Sequence, residues 1–451
     1  MSGKNLIRRD LAITVLLMFT SISVSFSQDK NLITEKEKSG IIEKAISLLQ
    51  ENYIYPERVK NIENFLIGKL KSSGYTGIVK PEDFLQSLNN DLEREGKDHH
   101  LNISFGPDRV KQIKLDQQNE KDGKKETLSE NWLQRMKYEN FRLRKVERLD
   151  GNIGYFNFLN FAPVVPAKES IAGAMNFLQF SSAIIIDLRE NGGGYSETMS
   201  FLLSYFLKDS LQIGEFRHRK GNQIEKTYVP ADAMINKILE DIPVYILVSN
   251  KTSSAAEGFS YTLQQFKRAV IVGEQTKGEG NPGELFIINE FLYMMIPTIE
   301  SRNPITGKGI DGIGVTPDIR ISSDKAYNKA LLEICTQLSK TIPIKELKQL
   351  YEWQIPVLEN ELNPEPLTEI IISAIVGDYA EGRRIVYENC NIYYINQKGQ
   401  KVRLDYIGKG IFQNTEKKWL RLVMPYTDKP IHEFEWVWDD GGKEKVNRIV
   451  K

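Results

Sequence analysis

Short apolar segments alternate with helical patterns through the middle of the chain. The segments typical of buried strands are "GNIGYFNFL", "AIIIDLR", "VYILV" and "AVIVGE". The helical patterns between them are "AKESIAGAMNFLQF", "SETMSFLLSYFL" and the stretch that follows Ser254. Repetition of strand, helix and strand is typical of parallel sheets covered by helices. Residues 130–325 are therefore predicted to form an α/β core.

The segment before this core has helical patterns. Residues 30–108 contain three amphipathic stretches. The first opens with Thr34 and Glu37 in capping-box spacing, and the other two open with proline. They predict an N-terminal helical domain. Residues 109–129 are polar and lysine-rich, and they predict a linker in the form of a long loop or covering arm.

The segment after the core changes character twice. Residues 326–373 have helical patterns and are predicted to form a helical connector. Residues 374–451 alternate apolar and polar side chains between glycine-rich turns, which predicts a small antiparallel β-domain. Trp436 and Trp438 are expected to face the core of that domain rather than a ligand.

Charge and cysteine content exclude some classes of protein. The 451 residues include 60 Lys and Arg and 60 Asp and Glu, so the formal net charge is zero. Without a basic excess, no nucleic-acid partner is expected. Cys335 and Cys390 are too few for a disulfide framework, and a single disulfide is possible but not required. The sequence makes no prediction of oligomeric state.

The N-terminus has the pattern of an export signal. Lys4, Arg8 and Arg9 precede the apolar run "LAITVLLMFTSISVSF", and small residues follow up to Ser27. Residues 1–27 are predicted to be a cleaved signal peptide, which implies a secreted or periplasmic protein with no integral membrane segment after cleavage. The alternative is a membrane anchor, but the run is short and interrupted by Ser and Thr.

Ser254 lies at a predicted turn between a strand and a helix. The strand is "VYILV", and the helical pattern begins at Ala255. Unpaired backbone N–H groups and the helix dipole favour negative charge at such a turn, which suits a serine nucleophile and an oxyanion hole. The alternative is a helix N-cap, for which serine is a preferred residue.

A second turn carries consecutive glycines. The stretch "IIIDLRENGGGY" ends a predicted buried strand in Gly192–Gly194 and leads into a helix. Backbone N–H groups can approach an oxyanion or a phosphate closely at such a turn. The stretch lacks the Lys and Ser/Thr of a P-loop, so nucleotide binding is not favoured. The alternative is a tight turn without a ligand.

Few histidines could act as a base for a serine nucleophile. The chain has four histidines, His99, His100, His218 and His432. His218 lies between two arginines, and His432 lies in the predicted β-domain. His99 and His100, in "GKDHHLNISF", remain as the candidates at the end of the helical domain. The alternative is that both are surface or junction residues.

Four ordered motifs resemble those of the S41 serine peptidases, the tail-specific or C-terminal-processing protease group. The motifs are "DLRENGGG", "NKTSSAAEGFSY", "AVIVGEQTKGEGNPGE" and "GIDGIGVTPDI". The resemblance covers about residues 32–323 and is closer to the branch of interphotoreceptor retinoid-binding protein and the tricorn core protease. It implies an α/β core of the S41 (ClpP/crotonase-like) type and a serine-type peptidase that needs no cofactor and no metal.

The resemblance assigns the nucleophile. Ser254, rather than Ser253, occupies the serine position of the family turn, here "SAAE". In the C-terminal-processing branch the base is a lysine within "FGKG", and the matching segment here is "QTKGEG". Lys277 precedes the glycine it should follow, and Glu279 stands at the lysine position. The resemblance therefore argues against a Ser–Lys dyad.

The tricorn-like branch instead uses a histidine from a motif resembling "DGHT". The stretch "DHHL" matches this motif at Asp98 and His100. An acidic residue, typically Glu, precedes "GxGVxPD" in that branch, and Asp311 holds the place here. The implied catalytic residues are Ser254, His100 as base, and Asp311 or a neighbouring carboxylate as the group that orients His100.

The resemblance also implies a function. The N–H groups of Ala255 and of Gly193 or Gly194 would stabilise the oxyanion. The expected protein is an exported serine endopeptidase that cleaves unfolded or C-terminal polypeptide segments through an acyl-enzyme. Two alternatives stay open: a non-catalytic protein that binds apolar ligands on the same fold, and a cell-envelope interaction protein that functions through its β-domain.

Overall fold

The computed structural model describes residues 32–122, 130–231, 241–425 and 429–449. The predicted signal peptide, residues 1–27, lies outside them. The chain divides into two compact units, Met1–Ser323 and Asp324–Lys451, and each contains an apolar core. None of the helices in the described ranges is long and apolar enough to cross a membrane.

The first unit contains both helices and strands. Its helices are α1 (Glu35–Asn52), α2 (Pro56–Lys71), α3 (Pro81–Gly96), α4 (Pro107–Lys121), α5 (Glu130–Tyr138), α6 (Val164–Leu178), α7 (Ser196–Leu203) and α8 (Ala255–Gln265). Its strands are β1 (Asn102–Phe105), β2 (Leu143–Leu149), β3 (Ile153–Phe158), β4 (Ala183–Asp187), β5 (Gln212–His218), β6 (Ile224–Tyr228), β7 (Val244–Val248), β8 (Ala269–Gly273), β9 (Gly283–Ile287), β10 (Leu292–Pro297), β11 (Ile299–Arg302) and β12 (Ile319–Arg320).

The first three helices share one apolar core with a small antiparallel sheet. The Thr34 hydroxyl accepts the N–H of Glu37, and the Glu37 carboxylate accepts the N–H of Thr34, so the predicted capping box at the start of α1 is confirmed. Helices α2 and α3 begin with proline, as predicted. The sheet has the order β1–β10–β9, and side chains of β1 and β10 belong to the same apolar cluster as the helices.

The polar segment predicted as a loop or arm, residues 109–129, is in part helical, and for that part the prediction is wrong. Helix α4 covers Pro107–Lys121, while residues 123–129 lie outside the described ranges. Val110 and Ile113, three residues apart, are both buried. Most other residues of α4 are polar, so the apolar pattern that would predict a helix here is narrow.

A six-stranded sheet forms the centre of the first unit. Its order is β12–β8–β7–β4–β3–β2, and every neighbouring pair is parallel except β2 with β3. Strands β4 and β7 are buried at every residue, as expected for a parallel sheet covered on both faces. A separate antiparallel sheet has the order β11–β5–β6. The predicted α/β core is confirmed.

The second unit combines helices with a larger sheet. Its helices are α9 (Ala326–Thr341), α10 (Lys345–Leu362) and α11 (Glu369–Ile375). Its strands are β13 (Gly377–Tyr379), β14 (Arg383–Glu388), β15 (Asn391–Ile395), β16 (Lys401–Tyr406), β17 (Ile411–Asn414), β18 (Leu420–Val423), β19 (Glu433–Trp438) and β20 (Lys443–Asn447).

The eight strands of this sheet follow one another in chain order, and each pair is antiparallel. A bridge between Tyr379 and Arg448 brings the two ends of the sheet together, so the sheet is nearly closed. Trp436 is buried in its core and Trp438 packs against that core, as predicted. Cys335 is buried, Cys390 is exposed, and both are free thiols.

Shortening a core side chain of the helical domain tests how far that domain depends on its apolar contacts. Leu88 in α3 is fully buried. Leu88→Ala should lower the free energy of unfolding by about 2–5 kcal/mol, because the deletion leaves a cavity. Leu115 in α4 is 56% exposed, so Leu115→Ala should stay within about 0.5 kcal/mol of the parent. Urea denaturation followed by circular dichroism measures both variants. Equal losses of stability would contradict the burial of Leu88 and the exposure of Leu115.

Candidate active site

Ser254 is held in an unusual backbone conformation between β7 and α8. Its φ is 53° and its ψ is −124°. A positive φ is unfavourable for a residue with a side chain, so the turn maintains local strain at this serine. The Ser254 side chain is half-buried. Nucleophilic serines of α/β hydrolases also lie on sharp, strained turns between a strand and a helix.

The neighbouring serine is engaged in a structural contact. The Ser253 hydroxyl donates to the carbonyl oxygen of Gly192 at 3.0 Å. The N–H of Ser253 donates to the carbonyl oxygen of Asn191 at 3.2 Å. These two bonds attach the serine turn to the glycine turn that follows β4.

The glycine turn approaches Ser254 so closely that no side chain fits between them. A Cβ atom placed on Gly193 would lie 2.6 Å from the Ser254 Cβ and 2.9 Å from the Ala255 nitrogen. The φ of Gly193 is 94°, a conformation that glycine adopts without strain. The predicted neighbourhood of Ser254, Ala255 and the glycines is therefore present in the structure.

Two buried asparagines fix the glycine turn. The Asn191 side-chain oxygen accepts the N–H of Gly193 at 2.9 Å. The Asn160 side-chain amide donates to the Gly193 carbonyl at 2.7 Å. Sequence reasoning assigned no role to either residue. The available signal was an asparagine directly before a glycine run, a pattern typical of turns that bond their own backbone.

Glu257 anchors the start of α8. Its carboxylate accepts the N–H groups of Ser254, Gly278 and Glu279 at 2.9, 2.6 and 2.8 Å, and the hydroxyl of Thr276 at 2.5 Å. Burial raises the pKa of Glu257 to about 7, although these donors favour the charged form. Sequence reasoning missed this residue too. Its position three residues after a serine N-cap is the capping-box signal that could have identified it.

Asp311 is held by the continuation of the same backbone segment. The N–H groups of Gly280 and Asn281 donate to Asp311 Oδ1 at 3.3 and 3.2 Å. Four consecutive N–H groups, those of residues 278–281, thus join Glu257, at the Ser254 turn, to Asp311. This segment brings the predicted acid into the neighbourhood of the predicted nucleophile.

His100 reaches Asp311 from the loop between α3 and β1. It is only 5% exposed, and its Nδ1 lies 3.9 Å from Asp311 Oδ1 and 3.9 Å from Asp98 Oδ1. Both separations exceed a hydrogen bond, and Nδ1 has no hydrogen-bond partner among the described residues. The structure therefore brings His100 and Asp311 together, as the sequence predicted, and adds Asp98 as a second carboxylate.

The other candidate bases are paired with carboxylates outside this cluster. The Lys277 ammonium lies 2.5 Å from Glu279, the residue at the family's lysine position. His99 lies 2.6 Å from the Glu93 carboxylate, with 39% of its side chain exposed. The His218 ring in β5 lies 3.2 Å from the Glu225 carboxylate in β6.

The same cluster is a possible cation site. Asp98, His100 and Asp311 each offer one ligand atom, and these atoms lie within 4.8 Å of one another. A nitrogen and two carboxylate oxygens suit a divalent transition metal. The sequence predicted no metal, and the geometry here is equally that of an imidazole between two acids.

The site contains a serine on a strained turn beside a glycine turn, a carboxylate bonded to the neighbouring loop, and a histidine 3.9 Å from that carboxylate. Such a set of groups is typical of the serine hydrolase class. Residues 152–321 match the profile of Peptidase family S41, and residues 28–138 match that of the N-terminal domain of Peptidase_S41 in eukaryotic IRBP. Both ranges lie in the first unit, which is therefore similar to peptidase family S41 over its helical domain and over its α/β core.

Individual relatives are similar over about two fifths of this chain. A carboxy-terminal-processing protease of Bartonella bacilliformis is 28% identical over 178 residues, 38% of this chain and 39% of the relative. A carboxyl-terminal-processing protease of Picosynechococcus sp. is 29% identical over 39% of this chain and 40% of the relative. The chain thus matches about two fifths of the length of these curated relatives.

Solved structures give similarities of low score. The photosystem II D1 C-terminal processing protease has a TM-score of 0.40 and 13% identity, over 65% of this chain and 94% of that one. A lipoprotein from Streptococcus agalactiae has a TM-score of 0.41 and 16% identity, over 70% of this chain and 100% of that one.

The contact between Gly193 and the Ser254 turn can be tested with one added methyl group. Gly193→Ala should lower the rate at which Ser254 reacts with a fluorophosphonate by about 100-fold or more, because the new Cβ displaces the turn. Gly192→Ala is the matched control, since its Cβ would have only one neighbour, 3.9 Å away. Equal rates for the two variants would contradict the close approach.

The buried carboxyl of Asp311 should make stability depend on pH. Burial and the nearby charge of Asp98 raise its pKa to about 8, so the folded protein retains a proton that the unfolded chain loses near its ordinary pKa of about 3.9. Asp311 therefore contributes stability at low pH that is lost as the pH rises to about 8.

Asp311→Asn removes this titration, so its melting temperature should fall less than that of the parent between about pH 5 and about pH 9. Differential scanning fluorimetry at both pH values measures the difference. Asp108→Asn is the control, because the side chain of Asp108 is 94% exposed. A parent and an Asp311→Asn variant with the same pH dependence would refute the raised pKa.

Proposed function

We propose that the protein is an exported serine endopeptidase that cleaves unfolded or C-terminal polypeptide segments through an acyl-enzyme formed on Ser254. The observation that carries this proposal is the approach of the Gly193 turn to the start of α8. The glycine turn there lies against a strained serine and the first backbone nitrogen of α8, and acyl transfer requires a nucleophile beside backbone N–H donors.

In the proposed reaction, Ser254 attacks the substrate carbonyl and His100 accepts the serine proton. Asp311, or the carboxylate beside it, orients the imidazole and stabilises its charged form. The proton is then donated to the leaving amine, and water hydrolyses the acyl-enzyme by the same route in reverse. Lys277 has no role as base in this scheme, because its ammonium is paired with Glu279.

The donors of the proposed oxyanion hole are the N–H groups of Gly194 and Ala255. Ala255 is the first residue of α8, where N–H groups have no partner within the helix. Gly193 was the other expected donor, but its N–H already donates to Asn191. Gly193 contributes instead by its lack of a side chain, which allows the turn to approach Ser254.

Active-site assembly in this proposal depends on two parts of the first unit. His100 belongs to the loop after α3, whereas Ser254 and Asp311 belong to the α/β core and its loops. The helical domain is joined to the core through the shared sheet β1–β10–β9. Hydrogen bonds at catalytic bases often tighten only when substrate binds, so substrate is expected to shorten the His100 contacts.

A fluorophosphonate probe tests the nucleophile and the base. The parent protein should be labelled and Ser254→Ala should not, while Ser253→Ala keeps a labelling rate within about tenfold of the parent. His100→Ala should lower the rate by about 10²–10⁴-fold, because the serine loses its general base. Lys277→Ala and His99→Ala should each stay within about tenfold.

The outcomes separate the competing functions. Labelling that survives in Ser254→Ala would assign the nucleophile to another residue. Loss of labelling in Lys277→Ala but not in His100→Ala would restore a Ser–Lys dyad. A folded parent protein that neither reacts with the probe nor cleaves an unfolded polypeptide would favour the non-catalytic binding protein.

A further inference from the structure

Two carboxylates, not one, flank the proposed base. Asp98 Oδ1 and Asp311 Oδ1 each lie 3.9 Å from His100 Nδ1. The side chains of Asp98 and Asp311 are 0% and 7% exposed. The two acids therefore do not differ clearly in their distance to the histidine or in their burial. They differ in the hydrogen-bond donors that each carboxylate accepts.

Asp98 has the better set of donors for a negative charge. Its Oδ2 accepts the Tyr53 hydroxyl at 2.9 Å, and its Oδ1 accepts the N–H of His100 at 2.9 Å. Tyr53 is fully buried, so this hydroxyl donates without competition from water. The charge of the Arg58 guanidinium acts on both Asp98 and Asp311, so it does not distinguish the two acids. Asp98 is thus the carboxylate that side-chain and backbone donors of the helical domain hold in place.

Asp311 has weaker support. Its two backbone donors, on Gly280 and Asn281, are 3.3 and 3.2 Å away and share one oxygen. Buried carboxylates this close to each other cannot both be ionised without cost, so one of them tends to keep a proton. Asp98 has the shorter bonds and is the better-held carboxylate of the two.

We propose that Asp98 is the positioning residue of the site and is the carboxylate that orients His100. This inference rests on the proposed peptidase function, in which His100 is the base. Asp98 contacts no reacting atom and acts through His100. It does so from the same loop, two residues before the histidine, so the acid and the base move together.

Two tyrosines connect Asp98 and His100 to the α/β core. The Tyr53 and Tyr55 rings are in edge contact, with centroids 5.7 Å apart. The Tyr55 hydroxyl accepts from the Asn281 side chain at 2.9 Å, and the Asn281 N–H donates to Asp311. Tyr53 and Tyr55 therefore hold Asp98 on one side and the Asp311 loop on the other.

The test compares the two acids by the pH profile of fluorophosphonate labelling in the full-length protein. Asp98→Asn should lower the rate at neutral pH by about 100-fold or more, whereas Asp311→Asn should cost less than about tenfold. The acid limb of the profile should move to lower pH in Asp98→Asn, because the imidazolium loses its anionic partner. A merely structural role for Asp98 would not move that limb.

A pair of tyrosine variants controls for damage to the fold. Tyr53→Phe removes one donor from Asp98 and should lower the rate about 2–10-fold. Tyr75 is the matched control, since it is also buried and its hydroxyl donates to a buried acid, Asp91, at 2.7 Å. Tyr75→Phe should leave the labelling rate unchanged. Equal effects of the two variants on the rate would overturn the proposal.

Two further results would overturn the proposed role of Asp98. If Asp311→Asn loses as much labelling as Asp98→Asn, or if the acid limb does not move, Asp98 is not the carboxylate that orients His100. Labelling that requires added Zn²⁺ and is abolished by EDTA would overturn the proposal in favour of a cation between the acids. Ser254→Ala and His100→Ala are measured alongside as controls for the peptidase assignment. If that assignment is wrong, both variants should react with the probe at the rate of the parent protein, whereas if only the role of Asp98 is wrong, both should still lose labelling.

Discussion

The buried Glu257 carboxylate is the contact on which the candidate site depends. It accepts the Ser254 N–H on one side and the N–H groups of Gly278 and Glu279 on the other. The serine turn and the loop after β8 are therefore both hydrogen-bonded to the same buried carboxyl group, that of Glu257. Because the next two N–H groups of that loop bind Asp311, the position of the acid follows from the position of the helix start. Removing Glu257 would release several buried donors at once.

The histidine is positioned by a different principle, the sharing of an apolar core. Strand β10 follows the serine and glycine turns in sequence, yet its side chains pack among α1, α2 and α3. Strand β1, two residues after His100, pairs with β10 in a fixed register, with Asn102 opposite Met295. Burial of these apolar side chains thus fixes the loop that carries His100, although no hydrogen bond among the described residues joins that loop directly to Ser254.

Sequence reasoning was most successful where a side-chain pattern repeats. The alternation of strands and helices predicted the parallel sheet, and the Thr34 capping box predicted the start of α1. It failed at α4, where two buried residues, Val110 and Ile113, are the main apolar signal in a polar stretch. Glu257 was not predicted as the anchor of the site, because two of its backbone donors, on Gly278 and Glu279, are 21 and 22 residues away in sequence, and local patterns do not contain such partners. Asn191 was missed although its bond to Gly193 is local.

Glu279 stands where the C-terminal-processing branch of the family has its lysine, and its contacts agree with this organisation of the site. Glu279 is 2% exposed, and its partner is Lys277, so the ammonium that approaches this part of the site is neutralised by an adjacent acid. A lysine can act as a general base only if its charge is disfavoured, whereas a close carboxylate favours the charge. Since this ion pair occupies the loop, the proposed reaction takes its base from another element. The histidine loop of the helical domain is the element that reaches Asp311.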